Sequence, residues 1–426
     1  MRRVAVVGAG MVGLATAWFL QERGVEVTLL DRRGVAAGAS RGNAGWLTPA
    51  IATPLPEPAV LRYGVRAVVS ASSPVYVPPS ADPRLARFLA GFVRHSTHGR
   101  WHTAMQALLP LNERSLGAFA HLTEHGVGAP TYPAAPVLAA YRDAAAVAGL
   151  TEEFRRIEAA GGNVDHELIP GDEARRLEPA LSGTVRAAVL IHGQRYLRPT
   201  EYLTALAAAV EDRGAELLTG HEVLGTTDLG SHGVRVETTG AGTGVHDAVV
   251  VATGAWLCDL VSQHGVRHVV QAGRGYSFSV EAEHMPGGPV YLPEARVALT
   301  PLGDRLRVAG MMELRRPDAA FDPRRITAIV DSVRPLVRGV DLEDRQDEWV
   351  GSRPVTADGL PLVGRTGSPR VFAAGGHGMW GMTLGPITGQ LLAEQVVTGA
   401  VPAALAPFDP LRRFGRAPAR RRPRPR

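Results

Sequence analysis

Gly8, Gly10 and Gly13 stand at G-x-G-x-x-G spacing, and an acidic residue, Asp31, follows about twenty residues later. Residues of these types handle phosphates and ribose. Glycine at 8 permits a tight turn, at 10 it lets bare backbone approach a pyrophosphate, and at 13 it lets a helix pack close to its strands. Met11 and Val12 then open a helix whose first N–H groups are unpaired and carry partial positive charge. Asp31 can accept hydrogen bonds from ribose hydroxyls. A glycine turn without a ligand is the alternative reading. The absence of any lysine narrows the chemistry further, because Schiff-base catalysis, pyridoxal-phosphate enzymes and P-loop NTPases all need one.

The elements that must position these residues surround them. Residues 4–7 (VAVV) read as a strand, the apolar run through Leu20 as a helix, and 25–30 (VEVTLL) as a second strand ending at Asp31. This is a βαβ unit with glycines and acid in register. Helical spacing is predicted over 82–125 and 144–160, and 200–213 (TEYLTALAAAVEDR) reads as a helix capped by Thr200. Residues 216–219, 233–238 and 247–252 read as strands, the last running into the glycine turn of VVVATGAW. Residues 271–344 alternate like an antiparallel sheet, with Gly273, Gly275, Gly303 and Gly310 at turns or bulges and a helix at 324–337. Finally, 371–375 (VFAAG) runs into a glycine loop that opens a helix near Thr383 or Gly385.

Two strand–glycine–helix units at opposite ends of the chain imply one nucleotide domain built from separated segments. The expected division is 1–55, 193–270 and 345–408 for that Rossmann-type α/β domain. Residues 56–192 and 271–344 are expected to form a second, α+β substrate domain with a mostly antiparallel sheet, followed by an Arg/Pro-rich tail at 409–426. A chain of 426 residues with 45% hydrophobic and 20% charged residues suits a soluble two-domain protein. A single cysteine, Cys258, excludes an internal disulfide and a cysteine-built zinc site. The net charge of +5 is carried by the tail, which holds eight arginines in its last sixteen residues; the remainder is at −3. The tail reads either as a contact for an anionic surface or as a solvated end. Arg2 and Arg3 before an apolar run imitate a leader, but the glycine spacing accounts for the run better, so a cytoplasmic protein is expected, peripheral to the membrane if the tail binds lipid.

Four motifs together resemble the flavin-dependent D-amino-acid oxidase superfamily: VAVVGAGMVGL with Asp31; GASRGNAGWLTP; VVVATGAW; and GSRPVTADGLPLVG followed by FAAGGHGMWGMTLGPITGQLLAE. Within it, NAGWLTPAIATPLPEP and SPVYVPPSADPRLARFLAGFVRHS look most like the small subunit of bacterial D-amino-acid dehydrogenase. The resemblance implies non-covalent FAD. Gly8, Gly10, Gly13, Asp31 and Arg32 would hold its adenosine half, and Val223 would flank the adenine. Ser40, Asn43, Ala44 and Gly45 would follow the pyrophosphate to the flavin edge; Thr253 and Gly254 would close the site. His377, Gly378, Met379, Gly381, Met382 and Thr383 would border the isoalloxazine, where a helix start can stabilise the negative charge of reduced flavin.

The resemblance places the substrate carboxylate on Arg353, whose planar guanidinium suits two carboxylate oxygens; a surface position or an ion pair with Asp358 is the alternative. Tyr276 and Arg274 are further pocket candidates, with a plain core role set against each, and His377 is a candidate proton shuttle. The implied reaction is hydride transfer from the Cα of a D-amino acid to flavin N5, giving a 2-oxo acid and ammonia in amino-acid catabolism. The missing lysine favours a quinone or other carrier over oxygen as acceptor. No nucleic-acid partner is expected. Oxidation of secondary or small amines such as sarcosine, glycine or D-hydroxyproline and a non-catalytic flavin-binding role remain alternatives.

Overall fold

The computed structural model describes residues 1–58, 73–240 and 242–413. The Arg/Pro tail beyond Arg413, and with it the expected lipid contact, lies outside the described residues. Strand Arg3–Val7 is buried at four successive positions because neighbours cover both its faces. It pairs in parallel with Glu26–Asp31 on one side and Ala248–Val251 on the other. Glu216–Thr219 and Val371–Gly375 extend the sheet in parallel at either end, and Leu362–Arg365 closes it antiparallel. Ligands of such sheets bind outside the C-terminal strand ends. Gly8, Asp31, Thr253 and Gly376 all sit at that edge.

Helices Met11–Gln21 and Gly381–Thr398 both begin at this edge and cross closely. A Cβ on Gly385 would lie 2.4 Å from the Met11 side chain, and one on Gly389 2.6 Å from the Thr16 nitrogen. Bare backbone at these two positions sets how near the helix starts lie to each other.

Among the described residues the second sheet has nine strands, eight in a row and Val75–Tyr76 beside Arg305–Leu314 off it. Gln346–Thr356, Val270–Val280, Arg305–Leu314, Val297–Leu302 and Val290–Leu292 follow one another antiparallel. Val290–Leu292 then meets Val137–Tyr141 in parallel, and Ala187–Ile191 and His166–Pro170 complete the row. On sequence, 345–408 is grouped with the nucleotide half; the strand Gln346–Thr356 pairs instead in this second sheet, and the chain enters the first only at Leu362–Arg365. Helix Pro323–Val333 packs on one face with Tyr276, Phe278, Val297, Leu299 and Val308. The other face turns toward residues 42–46, where Ser277 Oγ donates to the Gly42 carbonyl at 2.8 Å and Trp46 Nε1 to Thr300 Oγ1 at 2.8 Å.

Several local expectations shift. The 82–125 stretch is two helices, Pro83–His95 and His98–Glu124, each started by its own cap: Asp82 accepts the Arg84 N–H and Thr97 the Arg100 N–H. The helix expected from Thr200 begins one residue earlier, as Pro199–Asp212, with no side-chain cap; proline fits the first turn because it lacks an N–H. Pro323–Val333 ends before Pro335. Of the four glycines, Gly303 turns a hairpin, Gly275 and Gly310 flank a bulge, and Gly273 lies within its strand. No helix among the described residues is long and apolar enough to cross a membrane.

Candidate active site

The three motif glycines differ in what demands them. Gly8 has φ +111°, and a Cβ there would lie 2.5 Å from the Ala252 carbonyl oxygen. A Cβ on Gly13 would fall 1.8 Å from the Gly8 carbonyl oxygen. Those two are required by the fold itself. Around Gly10 the nearest atom is Ser40 Oγ, at 3.4 Å from such a Cβ, so no described residue forbids a side chain there. The room beside Gly10 leaves bare backbone open to approach. Helix Met11–Gln21 has no capping side chain, and Met11 N–H makes only a long 3.4 Å contact with Ser40 Oγ, which leaves its N-terminal donors turned to the strand edge.

Asp31 ties this turn to the loop behind it. One carboxylate oxygen accepts the Ala9 N–H at 2.9 Å, and the other accepts those of Arg33 and Gly34. A carboxylate has about four acceptor positions, so one remains for a hydroxyl. Arg32 stacks on Trp256 at 4.1 Å and pairs with Glu222 and Asp318. Val223 starts the strand Val223–Asp228 of a separate three-stranded sheet. The Thr253 hydroxyl is buried with no hydrogen-bond partner among the described residues, and Gly254, at φ +59°, faces open space. A cavity of about 190 Å³ lies at this end of the cleft, between Arg33, residues 37–39, Trp256, Arg274, residues 317–319 and strand positions 350–352.

The opposite end is formed by 42–46 and 376–383. Asn43 Oδ1 accepts the Gly45 N–H at 2.8 Å, folding Ala44 into a tight turn. Gly45 has φ +77°, and a Cβ would lie 2.0 Å from the Leu197 oxygen. Thr383 Oγ1 donates to the Trp46 carbonyl at 3.1 Å, joining the two segments. The final helix begins at Gly381, two residues before Thr383 and about one turn before Gly385, the two starts expected, and has no side-chain cap. Gly378 is open, Met382 is buried, and Met379 is 37% exposed. Trp380 Nε1 donates to the Thr53 carbonyl at 2.7 Å. The His377 ring turns away to Thr388 Oγ1 at 3.0 Å, and burial pulls its pKa down to about 4. It is neutral near pH 7, which does not suit a proton shuttle.

Arg353 is the most distinctive side chain. Strand pairing sets Arg353 opposite Gly273, Gly351 opposite Gly275 and Trp349 opposite Ser277, so all share the face turned to 42–46. The guanidinium lies over Gly275, where a Cβ would be 2.3 Å from its central carbon. It donates to the Met311 carbonyl at 2.9 Å. Met311 holds φ +55° at the bulge, a left-handed conformation that costs a non-glycine residue on the order of 1–2 kcal/mol. A glycine and a strained bulge therefore fix the position of one arginine. Desolvation lowers its pKa to about 10, so it stays charged. It has no acidic partner among the described residues. Asp358 is held instead by Arg412, with contacts of 2.9 and 3.0 Å. A desolvated cation with no acid against it among the described residues has the chemistry to take an anion.

Tyr276 and Arg274 fall on the opposite face. Both side chains are fully buried against Glu313: Arg274 pairs with it at 2.8 Å, and the Tyr276 hydroxyl donates to it at 2.7 Å. Arg274 also donates to the Ala320 carbonyl. This cluster holds the bulge strand from behind and keeps Tyr276 off the face that carries Arg353, whereas Arg274 also borders the cavity beside Trp256 and Asp318. Sequence reasoning missed Gly275, Met311 and Glu313 as the parts that set Arg353. The alternation of Gly273, Gly275 and Ser277 against Arg274 and Tyr276 was the available signal.

A family model described as FAD dependent oxidoreductase (DAO) matches residues 3–395. A protein named D-amino acid dehydrogenase from Cereibacter sphaeroides is 30% identical over 407 residues, covering 94% of this chain and 92% of the relative. Glycine oxidase from Geobacillus kaustophilus has the same fold, with TM-score 0.75, 24% identity and coverage of 97% of this chain and 100% of that one. Iminodiacetate oxidase from Chelativorans sp. BNC1 matches with TM-score 0.69, 21% identity and coverage of 96% and 99%.

Proposed function

This chain belongs to the DAO family of FAD-dependent oxidoreductases, and on that premise we propose that it oxidises D-amino acids to 2-oxo acids and ammonia, passing electrons to a quinone or another carrier. FAD is the cofactor, and the enzyme is an amino-acid oxidoreductase that needs an electron acceptor. The cleft fits FAD: the open backbone at Gly10, the Thr253 hydroxyl with no partner among the described residues and two uncapped helix starts each offer what a dinucleotide takes. Bound FAD supplies a hydride acceptor, its flavin N5. Cys258 is buried and donates to the His268 carbonyl, which supports non-covalent binding.

The observation that carries this reading is Arg353. Its remaining N–H groups, over a glycine floor and without an acid, suit a substrate carboxylate. Anchoring that carboxylate orients Cα, and orientation accounts for much of the rate in reactions of this kind. The N-terminus of helix Gly381–Thr398 contributes positive potential beside residues 376–383. No side chain here needs to act as a strong base, and the neutral, committed His377 agrees with that.

The test is an anaerobic absorbance titration of the purified flavoprotein with D-amino acids, L-amino acids, glycine, sarcosine and D-hydroxyproline. Bleaching confined to D-amino acids is expected. Bleaching by the secondary amines alone would move the substrate class, and readmitted air reports whether oxygen is an acceptor. Peripheral lipid contact through the tail arginines is tested by deleting 414–426 and measuring liposome binding, which should fall.

A further inference from the structure

The face of the second sheet that carries Arg353 has a second polar end. Ser277, Ala309, Ala298 and Tyr291 are directly opposed across four strands, so they share that face, and all but Tyr291 are small. The Arg353 guanidinium reaches the strand of Met311, and Tyr291 stands two strands further on. Two strand spacings are about 10 Å. That is the length of an extended amino acid with a lysine- or arginine-sized side chain.

Glu153, on helix Val147–Ala159, stands at this end. Its carboxylate accepts the Thr53 hydroxyl at 3.2 Å, and the Thr53 carbonyl accepts the Trp380 indole N–H. Tyr291 meets Trp46 edge-on with centroids 5.8 Å apart, and the Trp46 carbonyl accepts the Thr383 hydroxyl. Glu153 is thus tied to the 376–383 segment through Thr53, and Tyr291 through Trp46. Among the described residues the charged groups around Glu153 are Glu57, Arg156 and Arg296, and Arg156 is paired with Glu57 at 3.4 Å. Tyr141 and Tyr291 face it as well, and burial raises both phenols. Desolvation first, then Glu57, push the Glu153 carboxyl up to about 7, against the two arginines. Among the described residues this carboxylate is under-compensated, as Arg353 is, and with the opposite sign.

We propose that Glu153, with Thr53 and Tyr291, forms the side-chain end of the substrate site and selects amino acids whose side chains end in a cation or an N–H donor. This rests on Arg353 holding the carboxylate. The test is anaerobic flavin bleaching of the holoenzyme by D-arginine, D-lysine, D-glutamine and D-norleucine, for wild type, Glu153→Gln and Glu153→Leu. Flavin content and circular dichroism report whether each variant is folded. The half-saturating concentration of D-arginine in the wild type is expected to be at least ten-fold below that of D-norleucine. That ratio should shrink in Glu153→Gln and approach one or invert in Glu153→Leu. A ratio unchanged in both folded variants, or a wild-type preference for D-norleucine, overturns the Glu153 assignment and leaves the Arg353 reading intact. Absence of bleaching by any D-amino acid overturns both.

Discussion

The two sheets serve the cleft in opposite ways. At the edge of the parallel sheet the working groups belong to the backbone: bare glycines, helix N–H groups and a carboxylate spent mostly on holding a turn. On the second sheet they are side chains, with Arg353 held by a bulge carbonyl and a glycine. Backbone sites bind what every dinucleotide shares, whereas side-chain sites select. The first half should therefore fail by losing its cofactor or its fold, and the second by losing substrate while keeping both.

The sharpest break is Gly13→Ala. Its Cβ would fall on the Gly8 carbonyl, so the variant should lose FAD and folded protein together, read as colourless or insoluble material. Gly10→Ala has room and should keep its melting temperature while FAD affinity drops about ten-fold or more; equal loss of stability would erase the distinction between fold glycine and ligand glycine. Behind the second sheet, Glu313→Gln leaves Arg274 buried without its carboxylate, and should cost roughly 3–5 kcal/mol in denaturant unfolding. Arg353→Met should cost about 2–5 kcal/mol of transition-state binding, thirty-fold or more in kcat/KM, with melting temperature unchanged or raised because a desolvated cation is removed.

The smallest effect concerns pH. The folded His377 pKa of about 4 lies below the ordinary 6.5, so the unfolded chain takes up this proton first. Its contribution makes stability fall as pH drops from 6.5 toward 4. His377→Gln should flatten that part of a melting-temperature profile and leave the activity profile between about pH 6 and 8 unmoved. A lost activity limb would restore His377 as a proton carrier.

The same division governs what was legible in the sequence. Strands Glu216–Thr219 and Val371–Gly375 stand at their expected bounds, because an apolar run ending in glycine is a local signal. The break between the helices Pro83–His95 and His98–Glu124 was not seen, since apolar residues continue on both sides of Thr97. Arg353 was visible as a residue, but its value as an anion site depends on long-range facts. Asp358 must be occupied by Arg412, and Met311 must turn its carbonyl inward from a left-handed conformation that no glycine announces. Tyr276 was misplaced because alternation assigns faces without saying which face meets the cleft.

The most direct test is anaerobic flavin bleaching by a D-amino acid in wild type and Arg353→Met, with flavin content measured alongside. Retained FAD with half-saturation raised thirty-fold or more, or bleaching lost, is the predicted result. Bleaching at unchanged concentration and rate in Arg353→Met would contradict a carboxylate site on the second sheet.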